Sequence, residues 1–165
     1  MLIRPLFIAT SLFFSAMLNA TPIPANLQLD WMQTHYTVID HHLATASKDD
    51  IIPEITTLIA IWKKRDGAVS GEVSPLLITA LTHHTEVTLT MLASSPVEYE
   101  KWLGELEGIV FTDLSGDQFE QLTVMKQSLT HALTAYVNPP LTRSQTALAT
   151  QLLARIETIS VSQVD

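Results

Sequence analysis

Ser74 to Ala93 reads SPLLITALTHHTEVTLTMLA and decides the fold. Ser74 is suited to capping free backbone N–H groups, and Pro75 at the next position lacks the N–H that a first helical turn leaves unpaired. At 100° per residue, Leu76, Leu77, Ala80, Leu81, Val87, Met91 and Leu92 form one broad arc, opposite Thr79, Thr82, Glu86 and Thr90. An arc that wide needs neighbours on two sides. The stretch therefore reads as the central helix of an all-α bundle, with His84 in the middle of its apolar face.

Upstream, helix one is expected from about Ala25 to Ala46, with Leu27, Trp31, Met32, Tyr36, Val38, Ile39 and Leu43 as its apolar set and His35 and His42 at the centre of that arc. Ser47 to Asp50 supplies start signals for helix two, which carries Ile51, Ile52, Ile55, Leu58, Ile59 and Trp62 up to Lys63-Lys64-Arg65 and stops at Asp66-Gly67. Ala68 to Val73 reads as a small-residue loop.

Downstream, Ser95-Pro96-Val97-Glu98 opens helix four, which ends near Gly108, and Ile109-Val110-Phe111 is an apolar run too short to classify, a connector or frayed helix. Helix five follows Ser115 and runs to Val137, where Asn138-Pro139-Pro140 ends it. Helix six is capped by Thr142-x-x-Gln145 and shows the stripe Leu148, Leu152, Ile156, Ile159. Nothing alternates with period two between hairpin turns, so no strands are expected. Six helices with short connections imply an antiparallel bundle of helical hairpins.

Residues 1–20 pair one cation, Arg4, with the apolar run Leu6 to Leu18 and a closing Asn19-Ala20, the pattern of a cleaved secretory signal peptide. The run is shorter than the roughly 20 residues a membrane-spanning helix requires. Residues 21–165 then form a single domain, periplasmic or secreted, with no stable membrane insertion after cleavage. The chain has no cysteine, which excludes a disulfide framework, thiolate metal sites and a cysteine nucleophile. With 17 acidic against 9 basic residues the protein is acidic, which argues against nucleic acid as a partner.

Histidine is the one ionisable type with a candidate site. His84 with His35 or His42 could ligate haem iron axially or, with water or a carboxylate, bind zinc or copper; Met32 and Met91 are further axial candidates. His35 and His42 lie about 10.5 Å apart along a helix, so only one of them can partner His84. The competing reading makes all three neutral core residues bonded to carbonyls or hydroxyls. No Glu-x-x-His, glycine-rich phosphate loop, nucleophile elbow or zinc-protease motif occurs. Asp40 beside His41, or Glu86 beside His83, is all that an acid–base pair could use.

The segments Leu114-Ser115-Gly116-Asp117-Gln118 and Leu141-Thr142-Arg143-Ser144-Gln145 resemble the L-[ST]-x-x-Q signature of small periplasmic ATP-independent chaperones, where two such motifs occur in an extended helical cradle. The same residues also read as capping boxes, a hydroxyl N-cap with glutamine three positions on and leucine as the staple. The expectation is thus an exported, non-enzymatic helical protein that needs no cofactor and binds a protein partner or a small apolar ligand. A haem- or metal-binding bundle is the alternative, and a chaperone-like protein the third reading.

Overall fold

A computed structural model describes residues 23–138 and 144–164, and the protein is all-α. The expected signal peptide and the Thr142 cap lie outside the described residues. Eight helices are described: α1 (Gln28–Thr34), α2 (Tyr36–Thr45), α3 (Lys48–Trp62), α4 (Gly67–His83), α5 (Thr85–Leu92), α6 (Pro96–Ile109), α7 (Phe119–Val137) and α8 (Thr146–Thr158). The two additional helices arise because two expected rods are broken. His35 separates α1 from α2 at φ −114°, ψ 18°, and His84 separates α4 from α5 at φ −134°, ψ 48°.

The central helix is central, but it begins about two turns earlier than its sequence signals suggest. Asp66 caps α4, its carboxylate accepting the Val69 N–H at 2.9 Å. Residues 68–73, expected as a loop, are therefore helical. Ser74 is not a cap; it is buried inside α4, where its hydroxyl accepts the Trp102 indole N–H at 2.9 Å. Pro75 lies inside the helix and has no N–H for the Gly71 carbonyl one turn back. Helix α4 packs on α2, α3, α5, α6 and α7, and Val73, Leu76, Leu77, Ile78, Ala80 and Leu81 are fully buried.

Where α3 passes to α4, Arg65 ties both to α6. Its guanidinium is 1% exposed and lies 4.9 Å from the Trp62 ring centre. It donates to the Trp62 carbonyl at 2.9 Å, to Glu98 at 3.2 Å and, from Nε and Nη2, to Glu105 Oε2 at 3.1 and 3.0 Å. Beneath it Trp62 and Trp102 meet edge to face at 6.3 Å. Of the three cations at the end of helix two, the third is thus an internal clasp.

The other departure from expectation is a two-residue parallel pair, β1 (Thr112–Asp113) with β2 (Ser162–Gln163). It brings the chain's last described residues back beside the connector after α6. Between β1 and α7 the first chaperone-like segment forms no capping box. The Asp113 carboxylate, inaccessible to solvent, accepts the backbone N–H groups of Ser115, Gly116 and Gln118 at 3.0, 2.7 and 2.8 Å, and the Ser115 hydroxyl at 3.0 Å. Gly116 turns the loop at φ 84°, a left-handed conformation that glycine adopts without penalty. Leu114, read as a staple, is 76% exposed. The second segment falls mostly outside the described residues, and Ser144 and Gln145 simply precede α8.

Burial alone would raise the Asp113 pKa, but the hydrogen bonds from Gln118, Gly116 and Ser115 together hold it below the usual carboxylate value. The unfolded chain therefore takes up this proton first as pH falls. The carboxylate's contribution to stability is complete above its unfolded value and is lost as pH falls through its folded value. Asp113→Asn presents an NH2 group to donors. We expect it to lower the melting temperature at neutral pH, and the gap from the unsubstituted protein to narrow below about pH 4, measured by thermal unfolding across pH. A gap that stays constant with pH would contradict this account of the loop.

Candidate functional site

Helices α2, α4 and α7 enclose a cleft of about 390 Å³ lined by Tyr36, Asp40, Gly71, Glu72, Pro75, Gln118, Gln121, Leu122 and Met125. On α2, Tyr36 and Asp40 are four residues apart and so share one face. Across from them, Gly71, Glu72 and Pro75 occupy the first half of α4. The start of α7 supplies the amides and the apolar floor.

Each carboxylate is held in place. Thr79 donates its hydroxyl to Asp40 Oδ1 at 2.7 Å, and Gln33 donates its amide to Glu72 Oε2 at 2.7 Å. Both acids are half-buried, so their charges are less screened than those of surface residues. Burial, then the charges of Asp40 and Glu72, push the Tyr36 phenol up to about 12. It stays a neutral proton donor at physiological pH, and it reports a negative field from both acids. Pro75 has no N–H to offer the Gly71 carbonyl one turn back, in the same wall. The arrangement suits a cation: two carboxylates, a carbonyl, an aromatic ring, and Leu122 and Met125 for methylene groups.

The histidines singled out in the sequence occupy three different environments. His35, expected in the core, is exposed at the α1–α2 break, its Nδ1 2.9 Å from the Trp31 carbonyl. A break in the helix rotates its face away from the one the helical wheel assigned. His42 is half-buried, with Nδ1 2.9 Å from Glu54 Oε2 of α3 but off the hydrogen-bond line. His84 is half-buried at the α4–α5 break and turned onto the Leu43 carbonyl of α2. Among the described residues no three of histidine, aspartate and glutamate are grouped so as to hold a metal ion. Met32 is buried in the core and Met91 half-buried. His41 and His83 are exposed, and Asp40 turns to Thr79 rather than to His41.

The larger concavity, about 780 Å³ between α7 and residues 157–161, is shallow in chemical content. Four threonines line it together with His131 and Glu157, and its one lysine, Lys126, donates to the Ile159 carbonyl. Sequence reasoning named Tyr36 as core and Asp40 as part of a weak pair, and overlooked Glu72. The usable signal was Glu72-x-x-Pro75-x-x-x-Thr79, at positions that fall on one side of a helix, but it was hidden by reading residues 68–73 as a loop. No known family model, curated protein or solved structure matches the chain.

Proposed function

We propose that the chain is an exported, non-enzymatic helical binding protein whose α2–α4–α7 cleft takes a primary ammonium or guanidinium group carried on a short apolar chain, free or as a lysine or arginine side chain. The observation that carries this reading is the pair Asp40 and Glu72, fixed by Thr79 and Gln33 from neighbouring helix positions and facing one cleft with Tyr36. Helix–helix packing sets their spacing, so the site needs no loop closure to form. The acidic balance of the whole chain, 17 acidic to 9 basic residues, would draw such a ligand towards it. Export rests on Arg4 and the apolar run Leu6 to Leu18.

The test is calorimetric titration of the full chain with cadaverine and with N-acetyl-lysine amide, using N-acetyl-norleucine amide as the uncharged control. Binding of the cations and not of the control is expected. The double substitution Asp40→Asn, Glu72→Gln should weaken it at least tenfold, because a hydrogen bond to a charged group contributes about 1.5–3 kcal/mol. Equal binding by the control, or unchanged affinity in the double variant, would remove the reading. A preference for the lysine amide over cadaverine would indicate a polypeptide ligand; the reverse would indicate a free amine.

A further inference from the structure

The junction between α4 and α5 combines a helix break, a buried unpaired ring nitrogen and a cavity. Across the break, the Ala80 carbonyl accepts the His84 N–H at 2.8 Å and the His84 carbonyl accepts the Thr88 N–H at 3.1 Å. The Leu81 carbonyl is taken by the Thr85 hydroxyl at 2.7 Å instead of by an amide. Nε2 of His84 is shut off from solvent and has no hydrogen-bond partner among the described residues.

The groups around the ring come from every helix packed there. Helix α2 contributes the Leu43 carbonyl, its own His42 being turned to Glu54 of α3. Lys48 at the start of α3, His83 at the end of α4, Glu86 in the first turn of α5 and Tyr136 of α7 border a cavity of about 390 Å³. Glu86 is the one carboxylate in that wall, and it is exposed. Burial, the largest influence, lowers the pKa of His84; the Leu43 carbonyl opposes it and His83 adds to it.

We infer that this junction is an acid-released hinge: on taking up a proton, the His84 ring leaves the buried face beside Leu43 for the cavity and the Glu86 carboxylate, and the first turn of α5 loosens. An imidazolium has two N–H donors to satisfy, while Nε2 in its present place has no partner. Lys48 and a protonated His83 repel it, while the negative end of α4 and the positive end of α5 meet at His84 and act on it in opposite senses. The cavity provides room to turn and Glu86 provides the counter-charge. Because the folded pKa is lowered, the closed junction is fully favoured above about pH 6.5 and gives way as pH falls through the folded value.

The hinge is tested by amide hydrogen exchange of Thr88, whose N–H bonds the His84 carbonyl, against Leu129 of α7 as an internal reference. After correction for intrinsic rates, Thr88 protection should fall by up to about tenfold per pH unit below pH 6.5, with Leu129 unchanged. His84→Gln, neutral throughout, should flatten this dependence, and His83→Gln should keep it. A second measurement needs no variant: an NMR titration of the His84 imidazole, in which the Thr88 amide shift should follow the ring with one midpoint below 6.5. An equal fall in His84→Gln, or a ring that titrates while Thr88 stays still, would overturn the hinge.

Discussion

Replacing Glu105 with alanine is expected to lower the unfolding free energy by about 3 kcal/mol, more than replacing its partner Arg65 with methionine. The asymmetry follows from which member of the pair is inside. The Arg65 side chain is 1% exposed, whereas those of Glu98 and Glu105 are 34% and 24% exposed. Removing Glu105 takes away the acceptor of two guanidinium bonds and of the Ser70 hydroxyl, and leaves a buried charge with Glu98 as its only carboxylate. Removing Arg65 instead leaves two carboxylates that can reach water, and a methionine side chain fills much of the vacated volume against Trp62. We expect about 1–2 kcal/mol for that change. Urea unfolding followed by tryptophan fluorescence compares the two variants directly. If Arg65→Met proves the more damaging, the clasp stabilises chiefly through the cation on the Trp62 face rather than through the carboxylates.

Much of the architecture was legible in advance, and the reasons are specific. Apolar spacing identified α3 and α8, start and stop signals bracketed α6 and α7, and Pro96 marked the start of α6 because proline at a first helical position gives up no hydrogen bond. The breadth of the apolar arc from Leu76 to Leu92 correctly made that stretch central. The two breaks left no trace because a single non-helical residue barely alters a helical wheel, and histidine is not a breaker. The start of α4 was masked for the opposite reason. Gly67-Ala68-Val69-Ser70-Gly71 has the composition of a loop, yet Asp66 caps it and Ser70 is buried against Glu105, so tertiary packing overrides local preference.

That one misreading also hid the cleft. With residues 68–73 outside a helix, Glu72 has no defined face, and Asp40 has only His41 beside it in sequence. Once α4 extends back to Gly67, Glu72 and Thr79 are two turns apart and both approach α2, whose Asp40 accepts the Thr79 hydroxyl. The site is a product of three helices, and no contiguous motif could announce it. The histidines show the converse. Their positions in the sequence pointed inward, but each ends beside a different neighbour: His35 is exposed at the Trp31 carbonyl, His42 lies beside Glu54, and His84 alone stays turned inward, onto the Leu43 carbonyl.

Trp102→Ala should be the most damaging single truncation in the core, at about 3–5 kcal/mol, since Trp102 of α6 is fully buried against Ser74 of α4 and Trp62 of α3 and its loss opens a cavity that Trp62 and Tyr99 cannot both collapse into. The milder substitutions discriminate better. Both indoles are buried, but Trp102 donates to the Ser74 hydroxyl whereas the Trp62 N–H has no partner among the described residues. Trp102→Phe removes volume and also strands a buried hydroxyl inside α4. Trp62→Phe removes volume and relieves an unsatisfied donor, although it weakens the face on which Arg65 lies. The cost at 102 should therefore exceed that at 62 by about 1 kcal/mol. In Ser74→Ala the order should shrink or reverse, because the hydrogen bond that separated the two tryptophans no longer exists. Chemical denaturation of the unsubstituted protein, of Ser74→Ala and Trp102→Phe, and of their double variant measures this as a coupling energy between Ser74 and Trp102. A coupling near zero would mean that the Trp102 indole is held by shape alone, and that Ser74 is buried in the central helix for its size rather than for its hydroxyl.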